Sequence, residues 1–250
     1  MLASINATHA GDYYCIISNT CNSVQSNTMS LTVSADAQIT AQSSSSTLCE
    51  GGNLNLTVST SGTSPISYQW YKSSSAISGA TSASYALYNV SASDAATYYC
   101  IVSNSCANDQ SNNIVVTVNT NPTISTHPVS QTVCENSALS LSVTATSSIA
   151  MTYQWYHNTV ALSGATSNSY TISSMDSASQ GGYYCIVSNT CTSAQSATAN
   201  ITMEEAPQIL SQSASATQCA GSSLSFSVTA SGTAPISYQW YDQSGAISGA

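Results

Sequence analysis

The sequence has very little charge, and almost none of it is positive. Only 4% of its 250 residues are Asp, Glu, Lys or Arg, and one lysine, Lys72, stands against ten acids. Phosphate binding needs clustered Lys and Arg, so this composition argues against nucleic acid as a partner and against an anionic membrane surface. The acids are scattered singly, apart from Glu204 and Glu205, so no dense cation site is indicated.

Long apolar runs are missing as well. No stretch approaches the roughly 18 residues of a membrane-spanning helix. Residues 1–15 lack the basic start and long apolar core of a signal peptide. Nine cysteines at regular positions nevertheless favour an oxidising compartment. We therefore expect an extracellular or cell-surface protein that does not span the membrane, with its export signal outside this chain.

The sequence does contain a regular repeat of 85 residues. The period predicts two whole repeats, 36–120 and 121–205, flanked by partial repeats at 1–35 and 206–250. No insertion disturbs the spacing, so we expect a chain of near-identical modules, each contacting its neighbours. The recurring sets are Cys15, Cys100 and Cys185; Cys21, Cys106 and Cys191; Cys49, Cys134 and Cys219; and Trp70, Trp155 and Trp240.

Within each repeat, apolar residues alternate with polar ones, which is typical of half-buried strands. Leu54, Leu56 and Val58, for example, are separated by polar residues, and turn-forming stretches such as "EGGN" and "ISGAT" divide the strand segments. No helical period of useful length competes with this pattern. About seven short strands in each 85-residue repeat predict an all-β fold of tandem β-sandwich domains.

The stretch "SASDAATYYC" and the tryptophan before it carry a family resemblance. Asp94, Ala96, Tyr98 and Cys100 follow a D-x-G/A-x-Y-x-C pattern downstream of Trp70, which resembles immunoglobulin-like domains of the I-set type. The "ISGAT" stretch and the Ser/Thr/Asn-rich surface resemble tandem repeats of large bacterial cell-surface or secreted proteins. The resemblance implies a sandwich with a core tryptophan and a tyrosine corner. It assigns six residues to the structural core: Trp70, Tyr98, Cys100, Trp155, Tyr183 and Cys185.

The sequence departs from the family pattern in two places. Val58 and its equivalents stand where the family has its first core cysteine, so we expect the usual disulfide between the sheets to be missing. Asp94 becomes His9 and Ser179 in the other copies. The basic residue that partners this aspartate on strand D of the family is absent, so no buried ion pair is carried over.

The cysteine pairing stays open at this point. A disulfide needs two Cα atoms within about 7 Å, and the alignment places Cys49 and Cys106 at opposite ends of one domain. In a head-to-tail array, we expect Cys49 to approach Cys191 across a junction, so that the Cys49 and Cys106 classes form bridges between domains. Cys100 and Cys185 are then expected to be buried thiols packed against tryptophan. Pairing within one domain and unpaired thiols are the alternatives. The possible disulfide cysteines are Cys49, Cys106, Cys134 and Cys191.

Catalytic and metal-binding constellations do not recur with the repeat. Zinc sites favour short C-x-x-C pairs, whereas the cysteines here are spaced C-x5-C and no histidine repeats at the 85-residue interval. His9, His127 and His157 each occur in one copy only, and the carboxylates also change between copies. We therefore expect a protein that is not an enzyme and that holds no metal or cofactor.

Outward-facing tyrosines offer a second hypothesis, because exposed rings stack on sugars or anchor protein partners. Tyr71 recurs as Tyr156 and Tyr241, and these are the candidate ligand-facing aromatics. The alternative is that neighbouring strands cover these rings, so that they serve packing rather than ligand binding. The expected function is a structural or adhesive stalk whose main partners are neighbouring domains of the same chain; the alternative is an array that binds carbohydrate or protein. The complementary partial repeats also raise the hypothesis that one molecule's tail completes the next molecule's head by strand complementation. A truncated gene or an arbitrary fragment is the simpler explanation.

Overall fold

The structure, a computed structural model, describes residues 4–249. It consists of short strands with three 3₁₀ helices of three residues, Ala7–His9, Ala92–Asp94 and Ser177–Ser179. The chain divides into two compact units, one ending at Thr120 and one starting at Asn121. Each unit contains one complete two-sheet sandwich and one partial repeat, so the fold is the all-β tandem architecture that the 85-residue period predicts.

The first unit begins with the partial repeat, which has four strands of three residues each. These are β1 (Gly11–Tyr13), β2 (Ile16–Ser18), β3 (Ser23–Gln25) and β4 (Met29–Leu31). β1 pairs with β4, and β2 pairs with β3, both antiparallel. Ile17 is 71% exposed and Met29 is 62% exposed, although their equivalents one repeat later are core residues. The partial repeat therefore presents one half of a sandwich with its inner face open.

The first complete sandwich has nine strands. One sheet is ordered β10-β7-β5 and the other β6-β13-β11-β8-β9, where β6 is parallel to β13 and β12 also pairs with β11. The strands are β5 (Gln38–Gln42), β6 (Ser46–Cys49), β7 (Leu54–Ser61), β8 (Ser67–Lys72), β9 (Ser75–Ala76), β10 (Ser84–Leu87), β11 (Ala96–Ser103), β12 (Asn108–Gln110) and β13 (Ile114–Asn119).

The core of this sandwich is assembled from alternate strand residues. Along β11, Tyr98, Cys100 and Val102 are fully buried, while the residues between them are half-buried. Trp70 of β8 lies directly opposite Cys100 across the strand pair and is also fully buried. Because successive side chains of a strand point to opposite faces, the period-two pattern of the sequence places these side chains on one inner face.

The last strand of the repeat is broken by a bulge that follows Ser111. β12 pairs Ile101 with Gln110, whereas β13 pairs Tyr98 with Ile114, so one extra residue is accommodated between the two registers. The Ser111 hydroxyl accepts a hydrogen bond from the Cys100 backbone N–H at 2.9 Å. Ser26 and Ser196 make the same contact in their own repeats, so the bulge belongs to the repeat.

The complete sandwich of the second unit has the same design, except that the stretch equivalent to β7 is divided into two strands, β16 and β17. One sheet is ordered β15-β23-β21-β18-β19 with β22 paired to β21, and β16–β20 and β14–β17 form two further antiparallel pairs. The strands are β14 (Thr123–Thr126), β15 (Gln131–Cys134), β16 (Leu139–Ser142), β17 (Thr144–Thr146), β18 (Thr152–His157), β19 (Val160–Ala161), β20 (Ser169–Ile172), β21 (Gly181–Ser188), β22 (Ser193–Gln195) and β23 (Ala199–Glu204).

The core of the second sandwich keeps the central residues of the first. Trp155 lies opposite Cys185, and Trp155, Tyr183 and Cys185 are buried. The unit ends in a partial repeat whose Phe226 is 57% exposed, although the equivalent Leu56 is fully buried. The strands of this partial repeat are β24 (Gln208–Gln212), β25 (Val228–Ser231), β26 (Tyr241–Asp242) and β27 (Gly245–Ala246).

Candidate functional site

The buried tryptophan at the centre of each sandwich is held by a hydrogen bond from its indole N–H. Trp70 Nε1 donates to the carbonyl oxygen of Ser82 at 2.9 Å, and Trp155 Nε1 donates to that of Ser167 at the same distance. The indole N–H is therefore satisfied although the ring is buried, as buried tryptophan requires. This contact ties each core tryptophan to the chain leading into β10 or β20.

The cysteines opposite these tryptophans are buried free thiols. Burial raises the pKa of Cys100 to about 11, and it also raises the pKa of Cys185. The thiolate is the reactive form of cysteine, so both groups stay protonated and unreactive at neutral pH. These positions serve packing and offer no nucleophile.

A tyrosine corner closes each repeat at the start of β11 or its equivalent. The hydroxyl of Tyr98 donates to the carbonyl oxygen of Asp94 at 3.0 Å, and that of Tyr183 donates to Ser179 at 2.8 Å. Tyr13 makes the same bond to His9 at 2.7 Å. The acceptor is a backbone carbonyl in every copy, so the side chain at this position is free to change between repeats.

The side chain of Asp94 has a partner that sequence reasoning missed. Lys72, at the end of β8, lies 3.3 Å from the carboxylate, and both side chains are about one-third exposed, at 33% and 28%. The backbone N–H and hydroxyl of Ser91, together with Lys72, lower the pKa of Asp94. Exposed pairs of this kind contribute about 0–1 kcal/mol. The sequence could have indicated this contact, because Lys72 is the chain's only basic residue apart from histidine and is therefore the natural partner for a carboxylate.

The second domain has a different group at the position of Lys72. His157 stacks on the Tyr183 ring with 4.3 Å between ring centroids, and its Nε2 lies 2.9 Å from the carbonyl oxygen of Gln180. In the first domain, Lys72 Nζ lies 5.8 Å from the centre of the Tyr98 ring. In both domains a nitrogen-bearing side chain covers the corner tyrosine, which gives His157 a packing role.

The outward tyrosines form cross-strand stacks. Tyr71 and Tyr99 have ring centroids 4.8 Å apart and planes 3° apart, and Tyr156 and Tyr184 repeat this at 5.0 Å and 2°. Both pairs are half-buried on the outer face of their sheet, whereas Tyr241 of the partial repeat is 71% exposed. Within each pair, the two rings cover one face of each other, which reduces the ring area available to a ligand.

The remaining cysteines lie near the ends of the sandwiches. Cys106 lies in the exposed turn between β11 and β12, where the Asn104 side chain accepts hydrogen bonds from the backbone N–H groups of Cys106 and Ala107. Cys191 lies in the equivalent turn of the second domain. Cys49 and Cys134 are the last residues of β6 and β15. Cys106 and Cys134 are exposed free thiols in this structure. Their assignment as disulfide cysteines stays a prediction.

The described residues contain no arrangement that suggests metal chemistry. Within 4–249, no group of three or more His, Cys, Asp or Glu side chains is positioned to hold a metal ion. Likewise, none of the helices in this part of the chain is long and apolar enough to cross a membrane.

Comparisons with known proteins agree with this architecture. A family model described as an immunoglobulin domain matches residues 38–104 and 121–189, one stretch in each complete repeat. A three-domain titin structure with Glu-to-Ala changes has a TM-score of 0.67 and 21% identity, covering 80% of this chain and 76% of that one. An I-band titin structure has a TM-score of 0.60 and 16% identity, covering 85% and 81%.

A third similar structure is the insect immune protein hemolin, with a TM-score of 0.53, 14% identity, and coverage of 80% of this chain and 58% of that one. At these identities the three structures show a shared fold. The family model covers more than half of the sequence, with one match in each complete sandwich, and the chain therefore belongs to the immunoglobulin domain family.

Proposed function

We propose that this chain is a segment of an extracellular structural or adhesive stalk. The observation that carries the proposal is the repetition, 85 residues apart, of a self-contained core with the same tryptophan, cysteine and tyrosine. A module that builds its own core and recurs without insertion is suited to setting a distance or to multiplying a weak contact. The Ig domain itself carries many functions, so the proposal rests on this repetition.

The finer family assignment belongs to the same proposal. The D-x-G/A-x-Y-x-C pattern around Asp94 and Cys100 supports the I-set type, and the Ser/Thr/Asn-rich surface supports an origin in a large bacterial surface protein. The domain limits 36–120 and 121–205 also belong to it. They are supported by the separate hydrophobic cores, one built around Trp70 and one around Trp155.

Stretching single molecules in a reducing buffer tests the stalk. We expect two unfolding events, one for each complete sandwich, because each must lose its own core before it extends. Each event should release roughly 30 nm of chain, since 85 extended residues span at most about 3.3–3.6 Å apiece. Extension without force peaks would contradict a role as a stalk that resists tension.

A second candidate function is an array that binds carbohydrate or protein through the outward tyrosines. The stacked pairs Tyr71–Tyr99 and Tyr156–Tyr184 favour it, because the same aromatic surface recurs on both domains. The mutual stacking weighs against it, because one face of each ring is already covered by its partner.

A glycan-binding assay separates the two functions. We expect no saturable binding from the wild-type chain, nor from Tyr71→Ala and Tyr156→Ala, because the stacked rings leave little free ring surface. Tyr88→Ala is the matched control, since Tyr88 is 77% exposed and lies off the stacked pairs. Saturable binding that Tyr71→Ala and Tyr156→Ala weaken and Tyr88→Ala leaves intact would instead establish the binding array.

A further inference from the structure

The stacked tyrosines of each complete domain are held together by strand pairing. Tyr71 lies directly opposite Tyr99 in the β8–β11 register, and Tyr156 lies opposite Tyr184 in the β18–β21 register. Each of these four strands has a hydrogen-bonded neighbour on both sides. Ring centroids 4.8 and 5.0 Å apart are at the close end of the range for aromatic pairs. The sheet therefore keeps the two rings of each pair in contact.

Both pairs are also accessible from solvent. All four rings are only half-buried on the outer face of their sheets. On the side of Tyr71 away from Tyr99, strand β9 presents the exposed Ala76, and Ala161 stands at the same place beside Tyr156. Alanine is too small to cover a tyrosine ring, so an oxidant in solution can act on the pair.

The phenol hydroxyls of the stacked pairs differ from those of the corner tyrosines. Tyr98 and Tyr183 are buried, and each donates its hydroxyl hydrogen to a backbone carbonyl oxygen. Within residues 4–249, no hydroxyl of the stacked pairs hydrogen-bonds to the protein. A stacked tyrosine can therefore lose its phenolic proton to water without breaking a contact of the fold.

We propose that each stacked pair is a site of oxidative cross-linking, at which the two tyrosines are joined by a carbon–carbon bond into dityrosine. The oxidant is hydrogen peroxide acting through a haem peroxidase. Contact between the rings makes the coupling intramolecular, and well-oriented intramolecular reactions have effective concentrations of about 10⁵–10⁸ M. Tyrosines that stand alone on the surface have no such advantage.

The reaction balances as a two-electron oxidation. Each phenol loses one electron and one proton and becomes a phenoxyl radical. The two radicals couple at ring carbons next to the oxygen-bearing carbons, and the hydrogen on each coupled carbon moves to the oxygen of its own ring, which restores both phenols. One hydrogen peroxide takes up the two electrons and two protons and becomes two waters. The rings turn about their side-chain bonds as the new bond forms, since this torsion has a broad energy minimum in tyrosine.

The cross-link joins two central strands of one domain covalently. In the first domain it closes residues 71–99 into a loop, and a closed loop restricts the unfolded chain more than the folded one, which stabilises the domain. This inference does not rest on the stalk proposal. Cross-links are read from peptide masses and the stalk is tested by force, so either idea can fail without the other.

A protease that cuts before aspartate separates the partners of both pairs. The full-length chain is oxidised at low concentration with peroxidase and hydrogen peroxide, then reduced and alkylated in urea so that no disulfide joins the peptides. The partners of the first pair lie in peptides 36–93 and 94–108, and those of the second in 109–175 and 176–241. We expect two linked products by mass spectrometry, each lighter than the sum of its two peptides by two hydrogen atoms.

Phenylalanine variants identify the reacting residues, because phenylalanine keeps the ring but has no phenol to oxidise. Tyr71→Phe and Tyr99→Phe should each abolish the link between 36–93 and 94–108 and leave the link in the second domain. Tyr156→Phe should do the reverse. Tyr88→Phe is the matched control, since Tyr88 lies in the same peptide as Tyr71 and is 77% exposed. It should leave both links unchanged.

The link in the unaltered domain shows in each variant that the oxidation has proceeded. Oxidised wild-type chain without either linked product would overturn the proposal. A first link that survives Tyr71→Phe, or one that disappears in Tyr88→Phe, would do so as well, because other tyrosines would then be the partners. Urea unfolding of Tyr71→Phe and Tyr99→Phe before oxidation checks that the loss of the link comes from the missing phenol and not from an unfolded domain.

Discussion

Replacing Trp70 with alanine should unfold the first complete domain in preference to the second. Trp70 is fully buried, and its ring centroid lies 6.4 Å from that of Tyr85. Truncating a buried Trp to Ala removes its contacts and leaves a cavity, at a cost of about 3–5 kcal/mol in free energy of unfolding. The carbonyl oxygen of Ser82 also loses the indole N–H as its partner. A loss of this size is a large part of the total stability of a small domain, which is about 5–15 kcal/mol.

Hydrogen exchange read out by peptide mass spectrometry measures this loss in the full chain. In Trp70→Ala we expect the backbone amides of β11 to lose protection, while those of β21 keep most of theirs. Trp155→Ala is the matched variant, and it should reverse the pattern. Trp70→Phe, which retains an aromatic ring, should cost less than Trp70→Ala. If either alanine variant lowered protection in both domains equally, the two sandwiches would not be independent folding units.

The core was predictable from the sequence because the repeat supplies its own internal comparison. Trp70, Tyr98 and Cys100 each recur at the 85-residue interval, and the period-two pattern places them on one face of the sheets. Both kinds of signal are local or periodic, and neither requires knowledge of which strands pair. The all-β tandem architecture therefore followed directly from the chain.

Contacts that depend on strand pairing were harder to predict. β6 is four residues long and pairs in parallel with β13, so neither alternation nor a hairpin turn marks it. Lys72 meets Asp94 because β8 ends beside the turn that precedes β11, a proximity that the spacing of 22 residues does not indicate. Ser111 is different. It recurs as Ser26 and Ser196, so a closer comparison of the repeats would have singled it out as a structural hydroxyl.

For the candidate ligand-facing tyrosines, the sequence pattern predicts the face of the sheet but not the contacts of the rings. Alternation predicts that Tyr71 faces outward, and it is half-buried on the outer face of its sheet. The stack with Tyr99 arises because the two residues lie directly opposite each other in the β8–β11 register. Register is a tertiary property, so the sequence could place each ring on a face but could not show that the rings cover one another.

Gly62 should be the most sensitive glycine of the first complete domain. It follows β7 with a φ of +128°, a backbone conformation that residues other than glycine rarely adopt. A Cβ at this position would lie 2.4 Å from the carbonyl oxygen of Asp36 and 3.0 Å from Cα of Ala37. Both atoms belong to the backbone, and Ala37 is only 1% exposed in the core, so the clash cannot be relieved by rotating a side chain.

We expect Gly62→Ala to lower the free energy of unfolding of this domain by about 2–4 kcal/mol, combining backbone strain with the displacement of the chain at Asp36. Gly79→Ala is the matched control, because Gly79 also has a positive φ, +75°, but a Cβ there meets nothing within 4 Å. That variant should cost only about 1–2 kcal/mol, the price of the left-handed conformation alone. Urea unfolding of both variants measures the difference, which combines crowding at Asp36 with the more restricted backbone conformation of Gly62. If both variants lost the same free energy of unfolding, the backbone at Asp36 and Ala37 would have to shift easily to accept the added methyl group. Ala37 would then not fix the edge of the sandwich.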